Sequence, residues 1–131
     1  MDATVLLVMD VQHGIVERFA DDDGYLPRLG RAIAAAEDPV VTTRRVSAFA
    51  GSDLDVLLRG LGAGTLVLAG IATSGVVLST LRQAADLDYR LVVLADACLD
   101  ADPEVHRVLI EKVFPRQADV PTVDEWAAQA G

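Results

Sequence analysis

Short apolar runs rich in Val and Leu alternate along the chain with segments in which apolar residues recur every three or four positions. The runs have the pattern of strands buried on both faces, and the periodic segments that of helices with one buried stripe. Strands are predicted at residues 5–9, 40–43, 65–69, 90–95 and 117–120, the last with the weakest apolar pattern. Between them, Leu26, Leu29, Ile33 and Ala36 mark a helix that tolerates Pro27 because it lies in the first turn. A second helix carries Leu54, Leu57, Leu58 and Leu61, with Ser52 as its cap and Asp55 as the capping partner. A third spans about 74–87 and buries Val77, Leu81 and Ala84. Asp102 followed by Pro103 starts a fourth, with Val105, Val108, Leu109 and Val113 facing inward. Thr122 and Glu125 cap a short terminal helix that holds Trp126. This alternation predicts an α/β fold of three layers, αβα, around a mostly parallel sheet of about five strands. Right-handed crossovers make 5–9, 65–69 and 90–95 adjacent parallel strands.

Composition narrows the picture. The 131 residues suit one domain, and a hydrophobic content of 52% fits a sheet covered on both sides. No repeat or linker divides the chain, so 1–131 is read as a single domain. The uncharged stretch 60–81 is interrupted by Gly60, Gly62, Gly64, Gly70 and Gly75, so it reads as turn, strand, turn and helix instead of a membrane span. The Gly60-Leu61-Gly62-Ala63-Gly64 segment ends a helix and precedes a strand, the reverse of a dinucleotide-binding turn. A net charge of -9 argues against nucleic acid and anionic membrane as partners, since both need basic patches. A single cysteine excludes an internal disulfide and fits a reducing cytoplasm, and no signal peptide is apparent. The apolar excess leads us to expect a homo-oligomer.

In open parallel sheets, ligands gather at the carboxyl ends of the strands. That edge collects Asp10, Gln12 and His13, then Thr43, Arg44 and Arg45, then residues 72–77, then Asp96 and Cys98. Asp10 leaves an apolar strand, where desolvation would fit it for proton transfer, although a carboxylate there can equally cap a loop. His13 is a candidate ligand contact, and Arg45 a candidate anion-binding group or a surface ion pair. Ser74 reads as a helix cap and His106 as structural. Cys98 is either a relocated nucleophile or an inert small hydrophobe. The two histidines are far apart without metal-ligand spacing, so neither a metal nor a cofactor is expected.

Four segments in register carry a more specific signal. They are the run at 6–12, Arg45-Val46-Ser47-Ala48-Phe49, Gly70-Ile71-Ala72-Thr73 opening a helix, and the run from Tyr89 to Ala97 with Asp96 near its end. Together they resemble the isochorismatase-like hydrolase superfamily, which includes nicotinamidases and other cysteine hydrolases. The resemblance implies a Rossmann-like topology, a small-molecule substrate and a triad of Asp, Lys and Cys. It also implies a non-proline cis peptide that helps to form an oxyanion hole. By this resemblance Asp10 is the acid and Ile71-Ala72 the cis peptide; His13, Arg45, Ile71, Ala72 and Gly75 are the candidate substrate contacts at this edge. The Lys position falls on Thr43 and the Cys position on Val76, which leaves no covalent thioester route. Lys112, the only lysine, belongs to the helix after Pro103. The family's further helix-to-strand unit is also missing near 36–40, so 40–43 is expected to pair with the first strand. Three readings follow: a hydrolase relative with a degenerate site and weak or lost activity; a non-covalent hydrolase of a vinyl ether or amide that depends on Asp10; or a non-catalytic binding or assembly subunit.

Overall fold

The computed structural model describes residues 3–9, 24–36, 40–43 and 53–130. Its strands are β1 (Ala3–Met9), β2 (Val40–Thr43), β3 (Ala63–Ile71) and β4 (Arg90–Leu99). They pair in parallel in the order β2-β1-β3-β4, so the three central predicted strands are neighbours. The helices are α1 (Tyr25–Ala35), α2 (Leu54–Gly60), α3 (Leu78–Asp86), α4 (Pro103–Val108) and α5 (Val123–Ala130). A turn at Thr73–Val77 leads into α3, and α4 continues through Leu109–Val113 and a tight turn at Phe114–Arg116.

Period-two alternation divides the core. Val5, Leu7 and Met9 of β1, with Leu66 and Leu68 of β3, join Leu54 and Leu58 of α2, Leu81 and Ala84 of α3, Leu109 and Phe114. Leu6 and Val8, with Val67, Ala69 and Ile71, join Tyr25, Leu29 and Ala32 of α1 and Val123 and Trp126 of α5. Both faces of β1 and β3 are therefore covered, which gives the predicted three layers.

The fifth predicted strand does not form. Residues 117–120 keep one isolated bridge, Val92 to Asp119. Their N–H groups explain why: Gln117 and Ala118 both donate to the Phe114 carbonyl at 2.9 Å, closing the end of the preceding turn. Pairing with β4 is left to Asp119, whose carbonyl accepts from Val93 at 2.8 Å, and to the Pro121 carbonyl, which accepts from Ala95 at 2.8 Å.

Three helices depart from the face that their apolar spacing predicts. In α1 the buried residues are Tyr25, Leu29 and Ala32, while Leu26 and Ile33 are 51% and 42% exposed. The Tyr25 hydroxyl donates to the Ala97 carbonyl at 2.9 Å, which turns that face inward. In α2, Leu54 and Leu58 are buried and Leu57 and Leu61 largely exposed. Asp55 accepts from the Tyr89 hydroxyl at 2.7 Å and pairs with Arg59, whose guanidinium lies over the Tyr89 ring. Ser52 lies outside the described residues. In α4, Val105 is exposed, and burial falls to Leu109 and Phe114 further on.

The other helix signals hold. Val77, Leu81 and Ala84 are fully buried. Asp102 accepts from the N–H groups of Glu104 and Val105, with Pro103 in the first turn. Thr122 and Glu125 form a reciprocal capping box, Thr122 N–H to Glu125 at 2.9 Å and Glu125 N–H to Thr122 Oγ1 at 3.2 Å. The segment 60–81 is the end of α2, β3, a turn and the start of α3, and among the described residues no helix is long and apolar enough to cross a membrane.

Two backbone positions are tightly constrained. Gly70 pairs with Met9, and a Cβ built on it would run into the Met9 carbonyl oxygen. Asp88 follows α3 with φ 67°, while its N–H donates to Ala85 and that of Tyr89 to Ala84, a Schellman end with a non-glycine residue in the left-handed position. Gly70→Ala is expected to cost at least about 2 kcal/mol, read as a lower urea midpoint at unchanged m-value. Asp88→Gly should do the opposite and add about 1 kcal/mol, since glycine takes this conformation without a Cβ penalty.

Candidate active site

The carboxyl ends of three strands converge. Met9 pairs with Thr43 on one side and with Gly70 on the other, so the chain leaving β1 toward Asp10 starts between the end of β2 and the approach to Ile71. Asp10, His13 and Arg45 lie outside the described residues. Thr43 is the last residue of β2, and Val76 is 4% exposed and belongs to the apolar cluster shared with β1 and α2.

The Ile71–Ala72 peptide is cis. Beyond it the Ala72 carbonyl accepts from Gly75 N–H at 3.1 Å and Val77 N–H at 3.3 Å. Gly75 sits at φ −104° and ψ −106°, outside the helical region, so Thr73–Val77 is a kinked turn set before α3. Its Gly75 N–H is thus engaged inside the turn.

Residues after β4 hold this turn. Asp100 accepts the Ser74 N–H on Oδ2 at 2.7 Å and the Asp102 N–H on Oδ1 at 3.1 Å. Partial burial pushes the Asp100 carboxyl upward, but the Ser74 and Asp102 hydrogen bonds and the nearby His106 outweigh it and leave the pKa below its usual value. Ser74 is therefore held from outside the turn, by Asp100. Thr73, fully buried, places Oγ1 2.7 Å from Nδ1 of His106. Burial lowers the His106 pKa, opposed by a hydrogen bond to the Ala95 carbonyl and by Asp100.

The sheet offset explains where these partners come from. Leu68 pairs with Val93 and Gly70 with Cys98, so between these pairs Ala69 alone faces residues 94–97 of β4. The surplus forms a bulge whose carbonyls need partners. Ala95 meets the His106 ring, Asp96 accepts from Arg28 at 2.6 Å, and Ala97 accepts from Tyr25. Asp96 and Cys98 thus lie within β4 and not beyond it. The Asp96 carboxylate caps α5 through Val123 N–H at 2.7 Å. Cys98 is 1% exposed, and burial pushes its thiol up to about 12, so it is not an available nucleophile in the folded chain. Among the described residues no cluster of three or more His, Cys, Asp or Glu could hold a metal ion.

Asp100 and Thr73 were not singled out as site residues from the chain alone. Asp100 had a faint signal, a second acid just ahead of the Asp102-Pro103 start. Its reach to Ser74 depends on where β4 ends.

The isochorismatase domain family matches residues 27–125, and the chain belongs to this family. It is 37% identical to the isochorismatase family protein YwoC of Bacillus subtilis over 90% of the chain, and 41% identical to YecD of Escherichia coli O157:H7 over 70%. It spans 61% and 49% of the lengths of those two relatives. It is also 32% identical, over 76% of the chain and 52% of the relative, to an Arabidopsis thaliana protein named "Probable inactive nicotinamidase". Among solved structures, an isochorismatase-like hydrolase from Alkaliphilus metalliredigens superposes with a TM-score of 0.83 at 22% identity, covering 98% of this chain and 99% of that one. A cysteine hydrolase from Pseudomonas syringae gives 0.80 at 16% identity over 98% and 92%. These similarities agree with the fold and with the superfamily that the motifs pointed to.

Burial of Cys98 makes a direct prediction. A thiol reagent at pH 8 should label the native protein at least about a hundredfold more slowly than the urea-unfolded chain, followed by mass spectrometry.

Proposed function

We propose that this chain is an isochorismatase-like hydrolase relative that has lost covalent chemistry, with weak or no hydrolytic activity, and keeps a small-molecule cleft between Asp10 and the Ile71–Val77 turn. One observation carries the reading: the position where the family places its thiol is Val76, an alkyl side chain packed into the core. Thr43 at the lysine position and the buried thiol of Cys98 support it, since neither restores an activated nucleophile. The shortening near 36–40 belongs to the same reading. It is supported by β2 lying directly beside β1. Exposed Val56 and Leu57 on α2 support self-association, and a single unpaired cysteine supports a reducing compartment.

A second reading rests on the convergence of β1, β2 and β3 at Met9. Asp10 is the one triad position retained, and a carboxyl group there suits protonation of a vinyl ether or activation of water toward an amide.

Purified protein assayed against small amides and isochorismate-like vinyl ethers, beside a thermal-shift ligand screen, decides between these readings. Ligand stabilisation with turnover near background is expected. Any turnover found should vanish in Asp10→Asn, survive alkylation of Cys98, and rise little in Val76→Cys, which adds a thiol without the lysine. Ordinary amidase rates destroyed by Cys98 alkylation would overturn the degenerate-site reading.

A further inference from the structure

The turn from Ile71 to Val77 is held by two side chains that no triad accounts for. Asp100 grips the Ser74 N–H, and His106 meets the Thr73 hydroxyl, the one side chain of the turn that is polar and fully buried. A neutral imidazole offers one donor and one acceptor. We assign the ring proton to Nε2, so that Nδ1 accepts from the Thr73 hydroxyl.

We propose that His106, acting through Thr73 with Asp100 alongside, is a positioning residue that sets where Gly75 and Val76 stand in the cleft. The inference rests on the reading of this turn as the floor of the site. His106 does not touch a ligand. It fixes the hydroxyl of a buried residue two positions before Gly75, while Asp100 fixes the intervening N–H. Protonation of the ring turns Nδ1 into a donor, and the Thr73 hydroxyl must then find another acceptor where none is in contact with it among the described residues. Among those residues, Asp100 is the charge that acts on the ring from outside α4, while on α4 Glu104 and Arg107 pair with each other. Asp100 partly steadies the imidazolium, and burial opposes it.

The sign of the pH effect follows. The His106 pKa in the folded chain lies below the ordinary 6.5, so the unfolded chain binds more protons as pH falls through that value. The contribution is complete above pH 6.5 and is lost as pH falls toward the folded pKa. Asp100 and Glu104, also lowered from 3.8 and 4.5, contribute their losses at more acid pH.

The test is a ¹⁵N–¹H spectrum of the full chain titrated from pH 8 to 5. The Thr73, Ser74, Gly75 and Val76 amides should move together with the His106 ring signals, at one midpoint below 6.5. Thr73→Val should abolish the Gly75 and Val76 response. His106→Ala should shift those amides at pH 7.5, and His106→Gln, which restores an acceptor, should return them toward wild type. Should His106→Ala fail to fold, the wild-type and Thr73→Val titrations decide. Gly75 and Val76 amides that stay still while His106 titrates would overturn the inference. Amides that follow His106 in a protein that binds none of the screened ligands would uphold it and count against the cleft reading instead.

Discussion

The parallel pairing of β1 with β3, buried on both faces, is the constraint on which the remaining structure depends. From Val5 to Met9 and from Leu66 to Ala69 no side chain is more than slightly exposed, so each strand needs helical cover above and below. The chain meets this with α2, α3 and the Leu109–Phe114 stretch on one face and α1 and α5 on the other. Gly70 lets the two strands stay paired up to their carboxyl ends, because any larger residue would meet the Met9 carbonyl. The approach to Asp10 and the cis peptide at Ile71 are thereby brought to the same edge.

The β4 bulge is the second organising feature. Extra residues between Val93 and Cys98 release three successive carbonyls from the ladder, and two helices meet them: α4 through His106, and α1 through Arg28 and Tyr25. Buried backbone acceptors are costly when unpaired, so the bulge ties α1 and α4 to the sheet at one place. It also sends the chain past Leu99 on a course that brings Asp100 to Ser74. Support for the turn therefore comes from beyond the bulge and not from the turn's own residues.

The site is conservative in backbone and altered in chemistry. The cis Ile71–Ala72 peptide and the kinked turn after it are present in the backbone, and in the reading proposed above Thr43 and Val76 stand where the family has the groups that activate and perform nucleophilic attack. An apolar residue at position 76 extends the core cluster to the mouth of α3.

Local patterns in the sequence determined the four central strands, the Asp102-Pro103 start, the Thr122–Glu125 capping box and the inner face of α3, because each depends on residues a few positions apart. The motif at Gly70–Thr73 likewise located the cis peptide through its family resemblance. Tertiary structure alone decided the faces of α1 and α2, where Tyr25 and Asp55 follow distant partners instead of the leucine stripe. It also decided the fate of 117–120, where the Gln117 and Ala118 N–H groups close a turn and leave Asp119 to pair with β4. The role of Asp100 and His106 was hidden for the same reason. They meet Ser74 and Thr73 across 26 and 33 residues, and that meeting is set by the register slip between β3 and β4, a quantity no local pattern encodes.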